Sequence, residues 1–145
     1  GLVVVNLADE PEYCEKLMYV KRGMTTPAHT HGKKKEDIIS RWGNLRVQVW
    51  KRKPGANDHE FPIQINGEMR LVKSGDFIDL TSGERITLVP GIYHEFSCTT
   101  DECIIGEVST ANDDLSDNYF IDPNVGRFPE IEEDEAPIVK LVSET

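Results

Sequence analysis

Turn-forming residues break this chain so often that only short extended segments fit between them. Asn44 to Arg52, NLRVQVWKR, alternates with Leu45, Val47 and Val49 on one face and Arg46, Gln48 and Trp50 on the other. The loop KPGANDHE ends it. FPIQINGEMRLV then reads as a hairpin, because Asn66-Gly67 supplies the positive backbone dihedrals of a tight two-residue turn. Ser74-Gly75-Asp76 marks another turn, and FIDL, TSGE and ITLVPG continue the pattern. Upstream, Leu2 to Leu7 and Cys14 to Gly23 read as strands, and Cys103 to Thr110 as the last core strand. Short strands at this spacing predict an all-β sandwich or barrel. At 145 residues the chain suits a single domain with one core.

One of these extended stretches carries chemistry. In Gly23 to Gly43, GMTTPAHTHGKKKEDIISRWG, His29 and His31 are one residue apart. Alternate side chains on a strand leave the same face, so both imidazoles reach one point. After four intervening residues Glu36 turns back toward it, giving the mixed nitrogen and oxygen set that suits a divalent first-row metal. The fourth ligand expected is His94, which follows the Pro90-Gly91 turn in GERITLVPGIYHEF. A lone histidine is usually a surface or structural residue, and His59, in the polar loop, reads as exposed. The concurrence of His29, His31, Glu36 and His94 is what carries the metal reading.

Three charged positions fall near that point. The run Lys33, Lys34, Lys35 would ordinarily be a solvated loop, yet it is tethered between ligands, so at least one ammonium borders the site. A cation there steers an oxygen-rich ligand and stabilises negative charge developing on it. Lys16 would ordinarily be a solvated edge residue; on a strand entering a cavity it points inward to bind hydroxyls. Glu107 interrupts the apolar strand CIIGEVST, a costly place for a carboxylate unless it is paired, solvated in a cavity, or functional. A cavity position is expected.

Composition narrows the partners. The net charge is −10, with acid concentrated in FPEIEEDE, which excludes a general affinity for nucleic acid or anionic membrane. No apolar run approaches the ~20 residues that span a bilayer, so a soluble protein is expected. Gly1 stands in an already apolar strand-like run, GLVVVNL, as if the chain began inside a longer product. Cys14, Cys98 and Cys103 form no CxxC pair and no even-numbered framework, and no N-x-S/T sequon occurs; small buried apolar cysteines in a reducing cytoplasm are expected.

The histidine stretch resembles the first cupin motif, with Gly23, His29, His31, Glu36 and Gly43 at its fixed places. The second stretch resembles the second cupin motif, with a Gly83 to Pro90 gap one residue longer than usual and Cys98 where Asn is common. The resemblance implies a cupin, that is, a jelly-roll-like β-barrel, in one domain spanning 1–145. Its C-terminal arm, about 111–145, would pack over or near the barrel mouth, held by Tyr119, Phe120 and Phe128. Cupins host oxygenases, decarboxylases, isomerases and sensors, so the fold alone names no reaction.

A narrower resemblance covers nearly the whole chain. YCEKLMYVKRG, PAHTHGKKKEDII, LVPGIYHEF, GEVSTANDDLSDN and RFPEIEEDE are together similar to the D-lyxose isomerase family of cupins. It implies interconversion of D-lyxose and D-xylulose, and of D-mannose and D-fructose, on Mn²⁺, with other divalent first-row ions acceptable. By it, Glu107 is the catalytic base, Lys34 stabilises the enediolate or relays a hydroxyl proton, and Lys16 and Asp117 bind sugar hydroxyls. Glu130 and Glu132 are further candidates from the tail. SRWGN departs from the family's Gly-rich turn, so Trp42 is expected to reshape the mouth. A cytoplasmic homodimer joined through sheet edges is the assembly expected by analogy. An Fe(II) cupin dioxygenase, with an apolar pocket, and a non-catalytic sugar-sensing cupin remain the alternatives.

Overall fold

The computed structural model describes residues 1–55, 59–125, 135, 136 and 138. Twelve strands form among them: β1 (Val3–Asp9), β2 (Tyr13–Lys21), β3 (His29–Thr30), β4 (Glu36–Trp42), β5 (Leu45–Trp50), β6 (Glu60–Ile65), β7 (Glu68–Lys73), β8 (Phe77–Leu80), β9 (Arg85–Leu88), β10 (Tyr93–Cys98), β11 (Glu102–Thr110) and β12 (Tyr119–Phe120). No helix occurs among the described residues, and hence none long and apolar enough to cross a membrane.

Two antiparallel sheets result. The larger has the order β1-β2-β11-β4-β9-β6-β7 and the smaller β12-β3-β10-β5-β8. Among the described residues they are not joined into a closed ring, so the expected barrel is an open, two-sheet jelly-roll architecture.

The core lies between the sheets and follows the period-two pattern. Leu45, Val47 and Val49 of β5 are each 0% exposed, as their alternation predicts. Leu45→Ala is expected to cost about 2–5 kcal/mol in urea unfolding, because the site is fully packed. On β2 the inward positions are Cys14, Lys16, Met18 and Val20; on β11 they are Cys103, Ile105, Glu107 and Ser109. The register pairs Glu107 with Lys16, so two charged residues sit opposite each other on inward faces that are otherwise largely apolar.

The hairpin turn forms where expected, with φ of 52° at Asn66 and 82° at Gly67, joining β6 to β7. At Gly43, the last glycine of the histidine motif, φ is +78° and a Cβ would run into the Glu102 carbonyl and Thr100 Oγ1. Only glycine fits between β4 and β5 there. Cys98 and Cys103, read as unpaired from the sequence, form a disulfide with a Cα–Cα separation of 5.8 Å. The turn between β10 and β11 brings them together, and both are buried. Cys14 is free and buried.

Candidate functional site

The histidines meet between the sheets. His29 on β3 pairs directly with His94 on β10, His31 follows β3 by one residue, and Glu36 opens β4. One ring nitrogen from each of His29, His31 and His94 lies within 4.8 Å of the others. Each Nδ1 faces a main-chain oxygen: His29 to Pro27 at 2.8 Å, His31 to Asp117 at 2.9 Å and His94 to Ile92 at 3.2 Å. A carbonyl only accepts, so each Nδ1 carries the proton, and in its neutral form each ring presents a lone pair at Nε2.

Those lone pairs face a carboxylate. Glu36 Oε1 lies 3.3 Å from His31 Nε2 and 3.0 Å from His94 Nε2, and the three atoms are buried without a hydrogen-bond partner among the described residues. Lone pair against lone pair is repulsive unless a cation stands between them, and buried unpaired polar atoms are costly. The donor set, three imidazole nitrogens and a carboxylate oxygen, therefore fits a divalent metal ion. Burial works against the Glu36 carboxylate, yet the group is held well below the usual carboxylate range, the Lys34 ammonium 2.9 Å away being a cause that needs no protonated histidine. Burial, then the neighbouring His94, push His29 down to about 3, which keeps its ring in the neutral, metal-binding form.

Beside this cluster runs a chain of alternating charge. Lys34 Nζ lies 2.9 Å from Glu36 Oε2 and 2.9 Å from Glu107 Oε1. Lys16 Nζ lies 3.9 Å from Glu107 Oε1, 3.2 Å from Asp114 Oδ1 and 3.1 Å from Asn112 Oδ1. Burial disfavours the Lys34 ammonium, yet the two glutamates more than offset it and raise its pKa above the ordinary lysine range. Lys34→Met would remove the ammonium that stands between the Glu36 and Glu107 carboxylates. A loss of about 3–5 kcal/mol, measured by urea unfolding, is expected from removing one partner of a buried ion pair.

His29, His31, Glu36, His94, Lys34, Glu107 and Lys16 all line one cavity of about 270 Å³. Lys33 and Lys35 are exposed, so of the lysine run only Lys34 reaches inside. His59 is exposed, as expected. Asp117, expected to bind sugar hydroxyls, faces the main chain. Its carboxylate accepts N–H groups of Gly32, Lys33 and Lys34 at 2.9 to 3.2 Å, and it is not among the residues lining the cavity. Trp42 also falls elsewhere. It lies six residues along β4 from Glu36, roughly 20 Å at strand rise, and lines a separate groove with Ser82 and Thr100, so it does not shape this site. Glu130, Glu132 and Phe128 lie outside the described residues.

Other lining residues were given no place in the cavity by sequence, although Phe120 was expected to hold the arm. Asp114, Asn118, Phe120 and Val125 reach the cavity from the segment after β11, and Thr26 and Phe96 from the opposite wall. Phe120 pairs with His29 across β12 and β3, and its ring lies 5.3 Å from the imidazole. The available signal was the dense polar run NDDLSDN itself, whose individual residues carry no spacing rule.

The chain matches the D-lyxose isomerase family over residues 4–145. It is 38% identical over 137 residues to the D-lyxose/D-mannose isomerase of Escherichia coli O157:H7, covering 91% of this chain and 60% of that protein. The Serratia proteamaculans D-lyxose/D-mannose isomerase is 38% identical over 130 residues, covering 86% of this chain and 57% of its own. This chain thus spans less than two thirds of the length of those two relatives. Among solved structures, Cellulomonas parahominis L-ribose isomerase with L-ribose superposes with a TM-score of 0.67 at 20% identity, over 87% of this chain and 72% of that one. A cupin superfamily protein from Desulfitobacterium hafniense gives 0.55 at 8% identity, over 77% and 79%. At such identities the likeness is one of fold, and the fold is that of the cupins. With the family match running almost end to end, the chain belongs to the D-lyxose isomerase family.

Proposed function

We propose that this chain carries the active site of a metal-dependent aldose-ketose isomerase acting on D-lyxose and D-xylulose, with D-mannose and D-fructose as a second pair. The observation that carries the reading is the Glu107 carboxylate, hydrogen-bonded to Lys34 at 2.9 Å in the same cavity as the histidine cluster. His29, His31, Glu36 and His94 would hold the ion, proposed to be Mn²⁺. When bound it supplies a Lewis acid that polarises neighbouring carbonyl and hydroxyl oxygens of the open-chain sugar.

The chain's own residues do the rest. Glu107 takes the proton from C2 and returns it to C1 through an enediol, as a proton passes from the C2 hydroxyl to the carbonyl oxygen at C1. Of the two roles open to Lys34, charge stabilisation fits better than proton relay, because its flanking carboxylates hold the ammonium protonated. Lys16, already bonded to Asn112 and Asp114, offers an oriented ammonium to sugar hydroxyls. The charged lining fits a polyol better than the apolar substrate and dioxygen of an Fe(II) dioxygenase. D-lyxose converted in D₂O should yield D-xylulose carrying one deuterium at C1. Unlabelled product together with an unchanged rate in Glu107→Gln would remove Glu107 from the reaction.

The proposal extends to the arm and the assembly. The arm, expected over about residues 111–145, is proposed to lie near the cavity mouth, a reading supported by Asp114, Asn118, Phe120 and Val125, its described residues in the cavity wall. A homodimer through β1 is supported by that strand's edge, unpaired among the described residues, and by the exposed Val3, Val4, Val5 and Leu7. A cytoplasmic setting is part of the reading; the Cys98–Cys103 bridge is unusual there, although burial shields it from attacking thiolates.

A further inference from the structure

We propose that Asp117 is a positioning residue for the metal centre, a latch that fixes the His31–Glu36 loop through its carboxylate and the His31 ring through its carbonyl. The inference rests on the metal reading above and deepens it.

The loop between the two ligands needs such a partner. Residues 32–35 belong to no strand, so their amides have no ladder to join. Three consecutive N–H groups converge instead on one side chain: Gly32 on Oδ1 at 2.9 Å, Lys33 on both oxygens at 3.1 and 3.2 Å, and Lys34 on Oδ2 at 2.9 Å. Successive amides converging in this way make a small anion-binding concavity, here filled by the chain's own carboxylate. The carbonyl of the same residue takes the His31 Nδ1 proton at 2.9 Å and so selects the tautomer whose Nε2 faces Glu36. Asp117 is 4% exposed. Its own N–H is held by the Asp113 carbonyl at 3.1 Å, and Ser116 N–H by the Asp113 carboxylate at 2.9 Å, so a closed turn presents it. One residue thereby ties the segment after β11 to a ligand ring, to the loop preceding Glu36, and to the backbone of Lys34.

Two variants of the full chain test this by Mn²⁺ titration calorimetry and amide hydrogen exchange. Asp117→Asn keeps the shape but turns an NH₂ toward amide donors. Gly32→Ala replaces no ligand, yet its Cβ would stand 3.2 Å from Asp117 Oδ1 and 3.3 Å from the Tyr119 ring, so the latch must shift by a few tenths of an ångström against the loop. Both should weaken Mn²⁺ binding by about 10–100-fold, as loss of outer partners does elsewhere. Exchange at the Gly32, Lys33 and Lys34 amides should speed up, and KM for D-lyxose at saturating Mn²⁺ should stay unchanged. Wild-type Mn²⁺ affinity in either folded variant would overturn the proposal, and a raised KM with that affinity kept would return Asp117 to sugar binding. If Asp117→Asn does not fold, Gly32→Ala decides by the same readouts. Neither the calorimetry nor the exchange needs turnover, so failure of the isomerase reading would show separately, as a wild-type chain that binds Mn²⁺ and converts no sugar.

Discussion

Glu107→Gln is expected to lower kcat for D-lyxose by roughly 10²–10⁴-fold, the usual worth of a positioned general base. Mn²⁺ affinity and sugar affinity should remain close to wild type. Glutamine keeps the length and one acceptor oxygen, so the hydrogen bond from Lys34 Nζ survives, and the inward turn of β11 that places the group is unaffected. What disappears is a lone-pair base able to carry a proton between adjacent carbons. An interaction needed only in the transition state lowers kcat and kcat/KM together, whereas a sugar ligand would appear mainly in KM. A sensor cupin has no use for this base: its wild type would bind sugar, turn none over, and be indifferent to the change. Full activity in the variant would exclude Glu107 as the base.

His94→Gln should abolish the response to metal. His94 is 1% exposed, pairs with His29 on one side and Val49 on the other, and points Nε2 at Glu36. Glutamine approximates its bulk without supplying an imidazole lone pair. For the wild-type chain, Mn²⁺ at a hundred times its Kd should add about 2.7 kcal/mol of stability. That corresponds to a rise in Tm of roughly 5–10 °C for a domain of this size. The variant at the same Mn²⁺ concentration should show almost no rise and no isomerase activity, and EDTA should bring the wild-type melting curve back to its metal-free position. An equal rise in the two chains would mean that the ion binds elsewhere.

Much of the site was legible in the sequence because it depends on local periodicity. His29 and His31 share a face since side chains alternate along an extended chain, and a Pro-Gly turn followed by His94 marks the neighbouring strand. The inward turn of Lys16 and Glu107 could be suspected from charges among apolar positions. Their pairing across β2 and β11 needed the sheet order. Other features were hidden for physical reasons. The groups that bind Asp117 are backbone amides, which every residue but proline carries and which no residue letter reveals. Lys16 meets Asn112 across 96 positions, a contact set by topology alone. Trp42 was misplaced because adjacency to the motif in sequence becomes distance along β4. The Cys98–Cys103 bridge depends on the path of the turn between β10 and β11, which spacing does not determine.

The most direct measurement follows ketose formation from D-lyxose by the EDTA-stripped chain, with and without added Mn²⁺, beside D-mannose and D-ribose. The account predicts D-xylulose from D-lyxose that depends on Mn²⁺, with slower conversion of D-mannose. Mn²⁺ binding to the stripped chain with no aldose converted would contradict it.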